Sequence, residues 1–349
     1  MKSIQESENG CDNYVSSNSE LDYTTLTADA CSYNWYRIKC GDGDTITHDD
    51  NYPIPEGIRK IEAGAFHESD ELWEVYIPSS VTEVEATAFD KCVNLKKIHA
   101  DSQYYKSIDG VLYTADLSVL VCCPAAIEGA VFNVPNSVTK IMAGAFAYCK
   151  FQTINIPNSV TEIGNHAFFE CNEIEHLHLP NSVKKIGFAP IVSGLLIDIQ
   201  IDNDCYKTFQ GALYTADFSK LIVYPAESKS TEFVLPKQTT HIGQHAVFHS
   251  IYKEIRLPQS VTHIDTEAFT NCHSLTDLHL TDSIEHIGED PFCFSFRLKN
   301  IYIPKGTLPH FTQFEEFRCL TTEKQNTEHL TPEELFALPY IPEYNFIEE

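Results

Sequence analysis

The sequence predicts a β-rich solenoid of about ten coils, and three observations point to this fold class. The stretch INIPNSVTEIGNHAFFEC (154–171) returns as IRLPQSVTHIDTEAFTNC (255–272) and, less perfectly, over 73–92. Each copy contains an I-x-I alternation followed by proline, which is typical of a short strand that ends in a turn. The last apolar residue of each strand recurs mostly every 22 or 23 residues, a period typical of stacked repeats. The ten such positions are Ile77, Ala100, Val134, Ile156, Leu179, Ile201, Leu235, Leu257, Leu280 and Ile303.

One coil reads L-x-x-I-x-I-P-x-S-V-T-x-I-x-x-x-A-F-x-x-C. We expect the I-x-I segment to form an outer strand with one buried face, and V-x-x-I to form a second wall. The phenylalanine of the Ala-Phe pair should fill the centre of the coil with one ring. The position three residues later holds Cys92, Cys149, Cys171 and Cys272 in some coils and serine in others, which indicates a buried small-residue site with reduced, inert thiols.

Two coils are 34 residues long and carry YKSIDGVLYTADLSVLVCCPAA (105–126) and YKTFQGALYTADFSKLIVYPAE (206–227) instead of SVTxIxxxAF. Each segment predicts two apolar strands joined in a hairpin at Thr-Ala-Asp. Gly110 and Gly211 are interpreted as bulges. The two copies lie 101 residues apart, as do the coils that follow them, so a four-coil block has been duplicated.

We predict three regions along the chain. Residues 1–52 form a polar leader and an N-terminal cap, residues 53–304 form the solenoid, and residues 305–349 form a C-terminal cap with an acidic, mobile tail. Thr331 followed by Pro332 and two glutamates predicts the start of a short helix in the last region.

The formal net charge is −26, and the acidic residues are distributed along the whole chain. Such a surface repels phosphate backbones, so we expect no nucleic-acid partner. The chain has no apolar run of about 18 residues, so no transmembrane segment is expected. The first residues lack the apolar core of a secretory signal. We therefore expect an intracellular protein as the chain is given, or a cell-surface or secreted one if a leader has been removed.

Outward positions of neighbouring coils should form rows on the outer face, because stacked strands lie about 4.8 Å apart. Their side chains are of the types that binding surfaces favour, although any exposed sheet needs polar residues. The partner-binding candidates are Tyr76, His99, Asn155, His176, His178, Gln200, Arg256, His279 and Tyr302.

A second row, on the second wall, contains His241, His263 and His286 in consecutive coils. Three imidazoles could converge on Zn²⁺ or Ni²⁺, or they could form a solvated polar row whose mutual repulsion lowers their pKa values. A straight ladder favours the polar row, because metal ligands need donor atoms about 3 Å apart. Residues 42–50 are acidic but do not fit an EF-hand loop, since its fifth and twelfth positions would be Ile46 and Pro53. A looser cation site there is the remaining ion-binding hypothesis.

The chain contains no GxSxG, P-loop, HExxH or dinucleotide-binding motif, and its His and Cys spacing follows the repeat. We therefore predict no enzyme activity, no catalytic residue and no cofactor.

The pattern I-P-x-S-V-T-x-I-G-x-x-A-F-x-x-C, seen here as IPNSVTEIGNHAFFEC, resembles the BspA-like leucine-rich repeats of the LRR_5 type, and so does the hairpin coil. The resemblance covers about residues 54–304 and implies a leucine-rich repeat solenoid. It also implies an adhesin-like surface role, binding a protein or a glycan, with no catalytic residues. A self-assembling scaffold, with weak self-association, and a cation-binding module are the two alternatives.

Overall fold

The computed structural model describes residues 25–26, 51–54, 56–228, 232–311 and 345–348. The chain is a β-solenoid of about ten turns with almost no helix in its described part. It consists of two compact units, residues 1–128 with 142–149, and residues 129–141 with 150–349. The predicted fold class is therefore confirmed.

The strands of the first unit are β1 (Thr25–Leu26), β2 (Asn51–Pro53), β3 (Lys60–Ile61), β4 (Glu74–Tyr76), β5 (Glu83–Val84), β6 (Lys97–His99), β7 (Tyr105–Ile108), β8 (Val111–Thr114) and β9 (Val119–Cys122). Those of the second unit are β10 (Val131–Asn133), β11 (Lys140–Ile141), β12 (Thr153–Asn155), β13 (Glu162–Ile163), β14 (Phe168–Phe169), β15 (His176–His178), β16 (Lys185–Ile186), β17 (Ile191–Val192), β18 (Asp198–Gln200), β19 (Tyr206–Phe209), β20 (Ala212–Thr215), β21 (Lys220–Val223), β22 (His241–Ile242), β23 (Glu254–Arg256), β24 (His263–Ile264), β25 (Asp277–His279), β26 (His286–Ile287), β27 (Asn300–Ile303) and β28 (Asn345–Glu348). A single turn of helix, α1 (Leu308–Phe311), lies between β27 and β28.

Two walls of parallel strands enclose the core of each unit. The outer sheet contains β2-β4-β6 in the first unit, and β10-β12, β15-β18 and β23-β25-β27-β28 in the second. The second wall contains β1-β3-β5 in the first unit, and the parallel runs β11-β13-β16 and β21-β22-β24-β26 in the second. Alternate residues of the outer strands point inward and are buried, as period two requires.

Proline connects the two walls, as the sequence predicts. Its carbonyl accepts a hydrogen bond from the amide three residues later, for example from Val81 to Pro78 and from Val160 to Pro157, both at 3.1 Å. This bond closes a β-turn between the outer strand and the second wall. The missing N–H of proline leaves no unsatisfied donor where the ladder ends.

Phenylalanine fills the third side of each regular coil. Phe66 and Phe269 are completely buried and pack on the corresponding rings of the next coil, Phe89 and Phe292, with centroids 5.1 and 5.8 Å apart. Where the sequence pattern changes to Pro-Ile, Ile191 takes the same buried place beside Phe168 through the pairing of β14 with β17.

The side chain at the small-residue position also contacts a backbone carbonyl oxygen. The Cys92 thiol lies 2.9 Å from the carbonyl oxygen of Phe66, and the Cys272 thiol lies 3.2 Å from that of Val247. The Ser295 hydroxyl donates to Phe269 O at 2.7 Å. Each of these groups therefore bonds to the backbone of the preceding coil.

Each long coil has three strands where the sequence suggests two. The expected hairpins at Thr-Ala-Asp join β8 to β9 and β20 to β21. An additional strand, β7 or β19, pairs with β8 or β20 through a two-residue turn. The bulge interpretation of Gly110 and Gly211 is wrong. Both glycines form this turn, with φ of 85° and 81°, and each follows a residue that also has positive φ, as in a type I′ turn.

This three-stranded insertion satisfies the edges of both walls. The Tyr105 hydroxyl accepts a hydrogen bond from Val84 N at 2.8 Å at the end of β5. The Gly110 carbonyl accepts one from Ile98 N at 2.9 Å in the outer sheet. Tyr206 and Gly211 make the same contacts to β16 and β18 in the second unit. The long coils therefore replace a regular coil without leaving these amides unsatisfied.

One strand from outside the repeats pairs at each end of the solenoid. β1 pairs in parallel with β3, in keeping with a cap at the N-terminal side. Residues 345–348 of the expected mobile tail form a strand, β28, that extends the outer sheet beside β27. The predicted helix at Thr331 and the acidic stretch 42–50 lie outside the described residues, and the three domain boundaries remain predictions.

Candidate functional site

The outer sheet presents most of the predicted partner-binding residues to solvent. In the first unit Tyr76 is 38% exposed, and in the second unit Asn155, His176, His178, Gln200 and Arg256 are exposed. Register pairing places these side chains next to one another across neighbouring strands, within each unit.

In the first unit, a carboxylate, an imidazole and a phenol form one cluster. The rings of Tyr76 and His99 stack almost parallel, with centroids 4.2 Å apart. His99 Nε2 lies 2.8 Å from a carboxylate oxygen of Glu74, which the Tyr76 hydroxyl also approaches, at 3.4 Å. The hydrogen bond from His99 holds the pKa of Glu74 below its ordinary value. The cluster is therefore fixed by contacts within the protein before any partner binds.

In the second unit, polar pairs bridge neighbouring outer strands. Asn155 Nδ2 donates to Asn133 Oδ1 at 2.8 Å, and His176 Nδ1 lies 3.0 Å from Asp198 Oδ2. His178 is in register with Gln200, and both point to solvent. His176 and His178 share one face of β15, as the period of a strand requires.

His279 is the one partner-binding candidate that the structure buries, with 8% of its surface exposed, so its expected exposure is wrong. Its ring stacks on Tyr302 with centroids 4.2 Å apart. Its Nε2 lies 3.0 Å from Glu254 Oε1, and its Nδ1 lies 3.1 Å from Arg256 Nη1. Because arginine can only donate, Nδ1 accepts and Nε2 carries the proton. The buried His279 therefore accepts a hydrogen bond that helps to position the exposed Arg256 side chain.

The three histidines of the second wall are neighbours, but their rings do not converge. His241, His263 and His286 are in register on β22, β24 and β26, with ring centroids 4.3 and 5.7 Å apart. The first pair stacks almost parallel. Nδ1 of the first two rings lies 2.7 and 2.8 Å from the preceding threonine hydroxyls, Thr240 and Thr262. Among the described residues, no group of three His, Cys, Asp or Glu side chains could hold a metal ion.

Burial is the main cause that lowers the pKa of His241, and the neighbouring His263 and Lys220 lower it further. The carboxylate of Asp265 acts in the opposite direction. The lowered pKa favours the neutral form of the His241 ring.

The buried thiols are poorly suited to nucleophilic chemistry. Burial raises the pKa of Cys149 well above its ordinary value and that of Cys272 to about 12. A thiol with such a pKa is almost entirely protonated at neutral pH, and only the thiolate is a strong nucleophile.

The sequence interpretation missed an apolar edge in the second unit. Leu195, Ile251 and Phe296 are 45%, 42% and 50% exposed on the turns that follow the central plug. Ile251 and Phe296 come directly after the small residues Ser250 and Ser295. The sequence signal for this edge was an apolar residue directly after the small residue of the repeat.

In the described part of the chain, no helix is both long enough and apolar enough to span a bilayer.

Comparison with known proteins gives one family match and several structural ones. The profile of BspA type leucine rich repeat regions matches in six copies, over residues 49–120, 130–227 and 223–314, which is more than half of the chain. A solved leucine-rich repeat protein from Eubacterium ventriosum is 24% identical, with 70% of this chain and 64% of that chain covered and a TM-score of 0.49. This chain thus spans less than two thirds of the Eubacterium protein.

Two further structures are similar. A leucine rich cell surface protein from Faecalibacterium prausnitzii is 23% identical, with 73% of this chain and 82% of that chain covered and a TM-score of 0.49. The pneumococcal vaccine antigen PcpA is 19% identical, with coverages of 73% and 72% and a TM-score of 0.46. No curated protein matches the sequence.

Proposed function

Because this chain belongs to the family of BspA-type leucine-rich repeat proteins, we propose that it is a non-catalytic interaction module whose outer sheet binds a protein or a glycan. The observation that carries the proposal is, in each unit, the row of exposed side chains on the outer strands. In the first unit it contains Tyr76 beside His99, and in the second it contains His178 and Arg256.

Preorganisation supports a binding role for this face. The Tyr76–His99 stack, the His176–Asp198 pair and the contact of Arg256 with His279 fix these side chains before binding. A surface that is already ordered loses less side-chain entropy when a partner binds. Tyrosine and arginine are also enriched among residues that dominate binding energies.

The proposal includes the absence of catalysis. The repeat family is generally non-enzymatic. In the described residues, the buried thiols Cys149 and Cys272 have raised pKa values. The imidazoles of His99, His176 and His279 on the outer strands lie against carboxylates. These contacts suit a structural surface better than a proton-transfer site.

We further infer that residues 53–304 form the binding domain, and that residues 1–52 and 305–349 protect its two ends. The pairing of β1 with β3 and of β28 with β27 supports this division. Limited proteolysis should therefore leave a resistant core that contains residues 53–304 and α1, whose Phe311 is buried in the core cluster.

Two matched double variants test the binding face. His178→Ala/Arg256→Ala removes one histidine and one cation from the outer sheet, and Lys185→Ala/His286→Ala removes the same types from the second wall. All four side chains are exposed, so both variants should fold. Retention of partners on beads that carry the protein should fall at least about tenfold for the outer-sheet variant only, equivalent to about 1.4 kcal/mol.

Equal retention by both variants, or a loss confined to the second-wall variant, would contradict the proposal. Protease treatment of the captured material and binding to immobilised glycans then distinguish a protein partner from a glycan.

A further inference from the structure

We propose that the outer edge of β27 is a strand-addition site that can accept β28 from a second copy of this chain, so that two copies exchange their C-terminal strands. The inference does not depend on the proposed partner-binding face. It rests on the place beside β27 that β28 occupies, here called the seat, on the small buried area of β28, and on the length of chain that precedes β28.

The seat is specific for the sequence of the tail. Four residues of β28 pair in parallel with β27, from Asn300 opposite Asn345 to Ile303 opposite Glu348. Asn345 N donates to Lys299 O at 2.7 Å, and the Glu348 carboxylate accepts from Gly306 N at 2.9 Å.

One side chain of the tail also reaches the core. Phe346 is opposite Ile301 and packs against the core cluster of the second unit, which includes Ile301 and Ile303. The seat therefore selects an extended segment with an aromatic residue at its second position and a carboxylate at its fourth. The tail of an identical chain meets both requirements.

β28 is held much less firmly than the strand that it covers. Ile301 and Ile303 of β27 are buried, whereas Phe346 and Ile347 are half-buried and the end residues of β28 are exposed. Apolar stabilisation scales with the area removed from water, so β28 gains less per residue than β27. A short strand at a sheet edge with this little burial is expected to open locally.

The chain before β28 is long enough for exchange. Residues 312–344, which are 33 residues, separate α1 from β28. A segment of that length can extend to at most about 110 Å. The tail of one copy can therefore reach β27 of another, and the exchanged strands make the same contacts in a closed dimer.

Exchange should depend steeply on concentration. Within one chain, β28 competes for the place beside β27 at an effective concentration on the order of 1 mM. Exchanged dimers should thus be rare in dilute solution and common where copies are crowded together.

Disulfide trapping tests the proposal, because Asn300 and Asn345 are opposite each other and their side chains lie 3.5 Å apart. Neighbouring strands bring Cα atoms within the range that a disulfide bridges. Chains with Asn300→Cys and chains with Asn345→Cys are mixed, oxidised and separated without reductant. All carry Cys205→Ser to remove an exposed thiol.

We expect a covalent dimer of the two mixed chains, with a yield that rises with concentration. Thr153→Cys, at the same repeat position on β12 and exposed, replaces the half-buried Asn300→Cys in the control. The dimer yield should exceed that control about fivefold or more near the effective concentration of the tether.

The double variant Asn300→Cys/Asn345→Cys in one chain reports on the seat itself and should form an intramolecular disulfide in dilute solution. If that bridge forms but mixed chains give no more dimer than the Thr153→Cys control at any concentration, strand exchange is wrong. If the bridge does not form, β28 does not occupy β27, and the proposal is also wrong.

Discussion

The side chains three residues after each central plug join one coil to the next. The Cys272 thiol contacts the carbonyl of Val247, and Ser295 donates to that of Phe269 at 2.7 Å. A buried carbonyl without a donor would cost free energy, so the position requires a residue that is both small and able to donate. This explains why cysteine and serine alternate there, which size alone would not.

Cys272→Ser should therefore be tolerated and Cys272→Val should not. Serine retains the donor and should change the free energy of unfolding by less than about 1 kcal/mol. Valine adds volume to a fully buried place and removes the donor, which should cost about 1–3 kcal/mol. Urea unfolding of both variants checks this, with Ser295→Cys as the reciprocal control. Equal losses for serine and valine would contradict the donor role.

Three histidines of the second unit have pKa values below the ordinary value of 6.5, chiefly because their partial burial disfavours the charged form: His241, His245 and His249. His245 lies 2.7 Å from a carboxylate oxygen of Glu267, whose pKa burial raises. Burial thus shifts both partners towards their neutral forms, and the contact is a hydrogen bond that does not require two charges.

The free energy of unfolding should therefore fall as the pH falls below about 6.5. In the unfolded chain these histidines bind protons at their ordinary pKa of about 6.5, whereas the folded chain resists protonation until lower pH. The unfolded state then binds more protons, so stability is highest above pH 6.5 and decreases through the folded pKa values.

Glu267 acts in the opposite direction and in a lower range, because its raised pKa favours the folded state as the pH approaches 4.5. Urea midpoints measured at pH 7.5, 6.5 and 5.5 test the histidine contribution. A variant with His245→Gln should lose less stability over this range than the wild type. A wild-type midpoint that stays constant or rises below pH 6.5 would contradict the buried, neutral histidines.

At the scale of elements, the three-stranded insertion explains how two coils that lack SVTxIxxxAF still complete both walls. In the second unit, β21 of the insertion pairs in parallel with β22 and so continues the second wall. Tyr105 and Tyr206 supply an acceptor where the next strand would otherwise supply a carbonyl. The turn glycines supply the equivalent acceptor to the outer sheet. The insertion therefore provides acceptors for the backbone amides at the edges of both walls.

Tyr105→Phe should destabilise the first unit by about 1–3 kcal/mol, because the buried amide of Val84 would lose its acceptor. Tyr214→Phe is the control. Tyr214 is equally an insertion tyrosine and is completely buried, but its hydroxyl has no hydrogen-bond partner. Removal of the Tyr214 hydroxyl should leave the free energy of unfolding unchanged or raise it slightly. Thermal unfolding of the two variants compares them, and equal effects would show that the Tyr105 hydroxyl is not needed.

At the scale of the whole molecule, the sequence predicts the structural features that recur with the repeat period. The two walls, the proline turns and the buried phenylalanines follow from local alternation that recurs in every coil. The hairpins at Thr-Ala-Asp follow from turn chemistry. The type I′ turn at Asp109–Gly110 also had a local signal, but its second copy has Gln210 in place of aspartate, which obscured the pattern.

Features that depend on contacts between distant residues could not be predicted. His279 occupies a repeat position that is outward in every coil, and it is buried only because Arg256 and Tyr302 of the adjacent coils enclose it. β28 pairs with β27 across 45 residues of sequence, as from Asn300 to Asn345, and no periodicity connects them. Side-chain enclosure and non-local pairing are set by tertiary packing, which a repeat pattern does not encode.

Hydroxyl-radical footprinting of the protein with and without a captured partner tests most directly whether the outer sheet is the binding face. We predict that, in the second unit, the partner lowers the labelling of His178 and Arg256 and leaves His263 on the second wall and Phe296 on the apolar edge unchanged. Protection of His263 or Phe296, with His178 and Arg256 labelled as in the free protein, would contradict the account.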